Sequence, residues 1–162
     1  NRLPASGRMS TTFRHFVRRG GRIVAETNKA IVRRWFDEIY TKKRLELMDE
    51  LHAEDFVWRG PSGATVTSRD GMRDLLRVYI AAFPDVHFTV EDQMSDGDQV
   101  VTRWSARATH SGEFEGTAPT GNSIMFTGIT ISRLENGQLV EEWENFDEMS
   151  LMRQIGAVPT TD

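Results

Sequence analysis

Val100-Val101-Thr102-Arg103-Trp104-Ser105-Ala106-Arg107-Ala108-Thr109-His110 is the stretch on which the fold turns. It alternates with a period of two over about 11 residues, roughly twice the usual strand length of five or six. Alternation puts Trp104, Ala106, Ala108 and His110 on one face. Downstream, a loop carrying Gly112, Gly116, Pro119 and Gly121 leads to a second long strand, Ile124 to Leu134. Glu135-Asn136-Gly137-Gln138 is a tight turn, Leu139 to Phe146 is the last strand, and Glu148 to Ile155 is a short closing helix. Upstream, Asp96-Gly97-Asp98 is a hairpin signal and Val86-His87-Phe88-Thr89-Val90 is its first strand.

Before Pro84 the period is helical. Ile31, Val32, Trp35, Phe36 and Ile39 recur at three- and four-residue steps from an N-cap at Thr27 or Asn28. Leu45, Met48 and Leu51 mark a short second helix, His52 to Trp58 a brief strand, and Gly60, Pro61 and Gly63 a loop. Ser68-Arg69-Asp70 starts a third helix with Met72, Leu75, Leu76, Tyr79 and Ile80 on its apolar stripe. Helices first and a meander afterwards predict an α+β fold, a strongly curved antiparallel sheet packed by three N-terminal helices. Long strands accumulate twist and curl, and a curled sheet capped by helices is a cone-shaped α+β barrel with a pocket inside. Trp35, Phe36, Leu75, Tyr79 and Trp104 are expected inside it.

The chain has 162 residues, 38% hydrophobic and 27% charged, enough for one globular core. Its mean hydropathy is −0.47. No run of about 18 apolar residues can span a bilayer, so a cytoplasmic protein without a membrane partner is expected. Zero cysteines exclude disulfides, thiolate nucleophiles and cysteine-ligated metal sites. Net charge is −4, yet Arg2, Arg8, Arg14, Arg18, Arg19 and Arg22 meet no acid before residue 23. Residues 1–25 therefore read as a basic extension, with 1–8 as vector or leader, ahead of a single domain at 26–158 and a tail at 159–162. Arginine-rich arms can bind nucleic acid, but a loosely attached extension is the simpler reading and no nucleic-acid partner is expected.

Chemistry concentrates on the last strand, where Val140, Glu142, Glu144 and Phe146 share one face, and Leu139, Glu141, Trp143 and Asn145 the other. A carboxylate between Val140 and Phe146 inside a cone would be desolvated and pushed toward neutral pKa, as a general base requires. Glu144 is the leading candidate and Glu142 the weaker; the alternative is that both merely solvate a wet strand end. Asp147 reads first as the N-cap of the closing helix. His110 reads as a hinge residue before a pocket residue. His52 and His87 lack ligand spacing, so no metal is expected. No phosphate loop, dinucleotide glycine pattern or Ser-His-Asp set exists, so no cofactor is expected. Trp35, Phe36, Trp58, Tyr79, Phe83 and Trp104 serve the core or line a cavity.

Ala30 to Phe36, Ala108 to Phe114, Ala118-Pro119-Thr120-Gly121, and Glu142-Trp143 through Asp147 to Gln154-Ile155-Gly156 together resemble the SnoaL-like polyketide cyclases. These are often labelled ester cyclases, within the nuclear-transport-factor-like and ketosteroid-isomerase-like superfamily. The resemblance covers about residues 26–157. It implies an α+β barrel, a homodimer formed through the sheets, and in the true cyclases a cofactor-free aldol closure. It places the family's acid/base aspartate at Glu144 and its assisting histidine at Thr130, so the carboxylate is kept and the histidine is not. The resulting expectation is a small hydrophobic carbonyl compound bound by Thr130, His110, Trp104, Trp58, Phe146, Tyr79 and Trp35, with Glu144 as catalyst. The rival is a non-catalytic binding or dimerisation module of the same fold.

Overall fold

A computed structural model describes residues 24–158 of the chain. Helix α1 (24–34) runs straight into a π-helical segment, Trp35–Thr41. The wider turn, marked by Lys42 N–H donating to Asp37 O at 3.2 Å, brings Trp35, Phe36, Ile39 and Tyr40 inward together. A short 3₁₀ turn, Leu45–Leu47, and α2 (Met48–Leu51) follow. Strand β1 (His52–Arg59), a two-residue β2 (Thr65–Val66) and α3 (Arg69–Ala82) complete the first half. Ser68 caps α3, its Oγ accepting from Gly71 N–H at 3.0 Å. The expected cap at Thr27 or Asn28 is not a helix start, because α1 already runs through both; Asn28 Nδ2 donates instead to Gly97 O at the β3–β4 turn.

Strands β3 (His87–Asp96), β4 (Gln99–Thr109), β5 (Ser123–Glu135) and β6 (Gln138–Phe146) form the meander, closed by α4 (Glu148–Gln154). Asp147 caps α4, with Oδ1 accepting from Ser150 N–H at 2.9 Å. The sheet order is β2-β1-β6-β5-β4-β3. The α+β cone is present, with two refinements to the expected antiparallel barrel. β1 lies parallel to β6, since the chain crosses from β1 through α3 and the whole meander before β6 returns beside it. The sheet is also open, its edges being β2 and β3.

A bulge changes the face assignment on β6. Arg133 pairs with Glu141 but Leu134 pairs with Leu139, so β6 carries one extra residue at Val140. Leu139 therefore turns into the core, fully buried, rather than sharing the outer face with Trp143. Beyond the bulge Glu142, Glu144 and Phe146 point to the concave side, as the alternation requires. The core packs Val32, Trp35, Phe36, Ile39, Met48, Phe56, Met72 and Trp104 between helices and sheet, with Leu75 and Tyr79 half-buried against it. Among the described residues no helix is long and apolar enough to cross a membrane. The expected basic extension, apart from Val24 and Ala25, and the tail at 159–162 lie outside the described residues.

Candidate functional site

The concave face of the sheet meets α3 and the π-helical segment around a cavity. It holds about 640 Å³ of atom-free space, counted out to its mouth and including open solvent there. Its walls are almost wholly apolar: Tyr79 and Phe83 from α3 and its end, Trp58 from β1, Trp104 from β4, and Phe126 and Phe146 from β5 and β6. The aromatic rings contact one another, Trp104 sitting 5.1 Å from Phe88 and 6.3 Å from Phe146.

Glu144 is the single carboxylate on this wall among the described residues, and it is 8% exposed. Three donors converge on its Oε2: Thr130 Oγ1 at 3.4 Å, Tyr40 Oη at 3.4 Å and Trp58 Nε1 at 3.5 Å. Oε1 receives no hydrogen bond from a described residue. One oxygen is thus tethered and the other is available. Burial pushes the Glu144 carboxyl up to about 7, against the opposing pull of Trp58, Tyr40 and Thr130. A carboxyl so poised is part ionised near neutral pH and can accept a proton.

Two residues away, Glu142 is fully buried. Ser132, its partner across β5–β6, donates to Oε1 at 2.6 Å. Burial drives its carboxyl to about 8, the Ser132 bond opposing and the Glu144 charge adding to the rise. Glu142 Oε2 and Trp35 Nε1 make no hydrogen bond of normal geometry with any described residue, yet the indole is near enough to oppose the rise of the Glu142 carboxyl. His52 lies against Trp35, ring centroids 4.2 Å apart, with neither ring nitrogen bonded. Burial, then Arg69 and Arg73, depress His52 to about 3, so its ring is neutral. No group of three or more His, Cys, Asp or Glu that could hold a metal occurs among the described residues.

The profile of the SnoaL-like polyketide cyclases matches residues 30–155. The chain belongs to the SnoaL-like polyketide cyclase family. Solved structures agree on the fold. A protein of Jannaschia sp. CCS1 described as a SnoaL-like polyketide cyclase superposes with a TM-score of 0.78 at 25% identity, covering 83% of this chain and 95% of its own. IdmH of Streptomyces antibioticus, described as a polyketide cyclase, gives 0.71 at 33% identity over 80% and 98%. AclR of Streptomyces galilaeus, described as a hydroxylase, gives 0.76 at 27% identity over 85% and 86%. A search of curated proteins found no match.

Within this SnoaL-like cone, the residues singled out from the sequence separate by position. Glu144, Trp58, Tyr79, Trp104 and Phe146 line the cavity together. Thr130, Trp35 and His110 do not. Thr130 is fully buried behind the wall, where it accepts from Trp104 Nε1 at 2.9 Å and donates to Glu144. Trp35 lies beneath, against Tyr40 and His52. His110 is buried beside Phe83, and its Nδ1 sits 3.0 Å from Thr120 Oγ1, tying down the loop that follows β4. That loop crosses the end of α3 so closely that Ser111 and Gly112 N–H both donate to Ala82 O, and a Cβ on Gly112 would stand 2.2 Å from Ala81 O.

Two residues that shape the site escape the sequence reading, one bonded to Glu144 and one beneath Trp104. Tyr40 stands four residues after Phe36 on the same helical stripe, a spacing that would have placed it inside. Gly128 lies directly under Trp104: a Cβ there would be 2.3 Å from Cζ2 of the indole. Its missing side chain lets Trp104 lie across the sheet and reach Thr130.

Proposed function

We propose that this SnoaL-like protein is a cofactor-independent acid/base enzyme acting on a small hydrophobic carbonyl compound in the cone, with Glu144 as the base. The observation that carries the reading is the asymmetry of one carboxylate on the wall of an apolar cavity: Oε2 is held by three donors, and Oε1 is bonded to no described residue. Tethering fixes the direction in which Oε1 points, and burial gives it basicity suited to neutral pH.

In the step so supported, Oε1 takes a proton from the carbon next to the carbonyl. The C–H bond breaks, its electron pair becomes a C=C bond, and the carbonyl π pair moves onto oxygen. The enolate formed can be reprotonated elsewhere or attack a second carbonyl, so isomerisation and ring closure share this beginning. Phe126, Phe146 and Trp104 exclude water, which preserves the basicity of Glu144.

Exchange of α-protons for deuterium, followed by proton NMR with a panel of cyclic ketones, β-keto esters and lactones, tests this without knowledge of the natural product. Wild-type protein should accelerate exchange of at least one compound, and Glu144→Gln should abolish the acceleration while retaining binding. Binding without accelerated exchange in the wild type would favour the non-catalytic module.

A homodimer through the outer face of the sheet belongs to the same proposal. Met94, Val101, Ile131 and Trp143 pair in one row across β3 to β6, and Ile129 and Met125 stand exposed beside it. Apolar rows of this extent are rarely left to solvent in a monomer.

A further inference from the structure

Five side chains on the cavity wall carry a polar group: Tyr40, Trp58, Tyr79, Trp104 and Glu144. Three of the four hydrogen-bond donors among them already have partners. Tyr40 and Trp58 donate to Glu144 Oε2, and Trp104 donates to Thr130. Tyr79 Oη bonds to no described residue, although the side chain is only half-exposed and is one of the cavity's linings. Against an apolar wall the described residues therefore offer a guest one free hydroxyl, Tyr79 Oη, and one free carboxylate oxygen, Glu144 Oε1.

The two come from opposite walls, α3 and β6. Tyr79 is three residues beyond Leu76 and seven beyond Met72, both buried, so the amphipathic stripe of α3 aims it inward. Phe114 and its loop hold it from behind, ring centroids 5.1 Å apart, and Phe83 packs on the same Phe114 at 5.1 Å. Burial and then the Glu144 charge raise its pKa, which keeps the hydroxyl protonated and able to donate.

We infer that Tyr79 is a catalytic hydrogen-bond donor to the substrate's carbonyl oxygen, working opposite Glu144. This rests on the reading of Glu144 as base. When Oε1 removes the α-proton, negative charge collects on that oxygen, and a hydroxyl donor already in place on the cavity wall stabilises that charge. The pairing also narrows the substrate class. The guest presents one acceptor oxygen toward α3 and its acidic C–H toward β6, on an otherwise apolar body. A guest with a second anionic or strongly polar group would leave that group unpaired against Phe126, Phe146 or Phe88.

The test uses the full chain and cyclic ketones carrying ¹³C at the carbonyl, led by 2-tetralone, with the carbonyl stretch read by infrared difference spectroscopy. In the wild type and in Glu144→Gln the stretch should fall below its value in apolar solvent; in Tyr79→Phe it should return to that value. Exchange of α-protons by Tyr79→Phe should drop in kcat by about 10²-fold, with KM changed less than about threefold. Because Tyr79 Oη holds no described residue, Tyr79→Phe should melt within a degree or two of wild type. A stretch that stays lowered in Tyr79→Phe, or exchange within twofold of wild type, would overturn the role of Tyr79 and leave Glu144 standing. Failure of every ketone to bind the wild type at millimolar concentration would overturn both.

Discussion

Glu142→Gln isolates the most deeply buried carboxyl of the cone. An unperturbed glutamate releases its proton near pH 4.5, whereas folded Glu142 holds it to about 8. Below pH 4.5 both folded and unfolded chains are protonated and the group costs nothing. Between those values the folded chain keeps a proton that the unfolded chain has lost, so stability falls as pH rises through the window and levels off above it. At about 1.4 kcal/mol per pH unit, a rise from 4.5 to about 8 corresponds to a ceiling of about 5 kcal/mol. Water reaching the ionised group would reduce this, so about 3 kcal/mol is the working expectation. Gln cannot ionise, yet it can still bond Ser132. The melting temperatures of Glu142→Gln and wild type should therefore diverge with pH, the variant gaining about 5–10 °C on the wild type between pH 5 and pH 9. The divergence, not any constant offset, carries the reasoning. A gap that stays within about 2 °C from pH 5 to pH 9 would show that Glu142 titrates alike in folded and unfolded chains, and the account of its burial would fall.

Gly128→Ala places a methyl 2.3 Å from Trp104 Cζ2 and 2.8 Å from Asn145 O; displacing the indole from Thr130 should lower stability by about 1–3 kcal/mol and red-shift tryptophan fluorescence. Asp147→Ala removes the cap that accepts from Ser150 N–H, and thermal unfolding should register a loss of about 1 kcal/mol. Light scattering at micromolar concentration should report twice the chain mass of 18.5 kDa for the wild type and a folded monomer for Ile129→Asp; a monomeric wild type would remove the dimer.

The sheet was legible because β4, β5 and β6 each face a core on one side, and such strands must alternate. The Asp147 cap was legible for a similar reason, since a short polar side chain at a strand-to-helix junction has few other partners. What escaped was non-local. The parallel pairing of β1 with β6 joins residues 84 to 87 positions apart and includes a register break between His52 and Val57. The bulge at Val140 shifts the phase of β6 by one residue, and nothing in the sequence there marks it; Leu139 was consequently assigned to the wrong face. His110, on an inward face by alternation, and Thr130, placed by the family resemblance, are both buried inward, but inward is not the same as cavity-lining. Trp104 stands in front of Thr130, and His110 serves the loop. Glu142 shares a face with Glu144 in the sequence, but its full burial beside Ser132 and Trp35 brings together separate elements, which no local pattern encodes.

The central claim is that Glu144 is a desolvated carboxyl poised to exchange a proton at neutral pH. The direct measurement is an NMR titration of the glutamate side-chain carboxyl carbons in ¹³C-labelled full-length protein, with the Glu144 signal identified by its loss in Glu144→Gln. A midpoint near 7, well above that of an ordinary glutamate, is expected. A midpoint near 4.3, that of a glutamate free in water, would contradict it and take the general base with it.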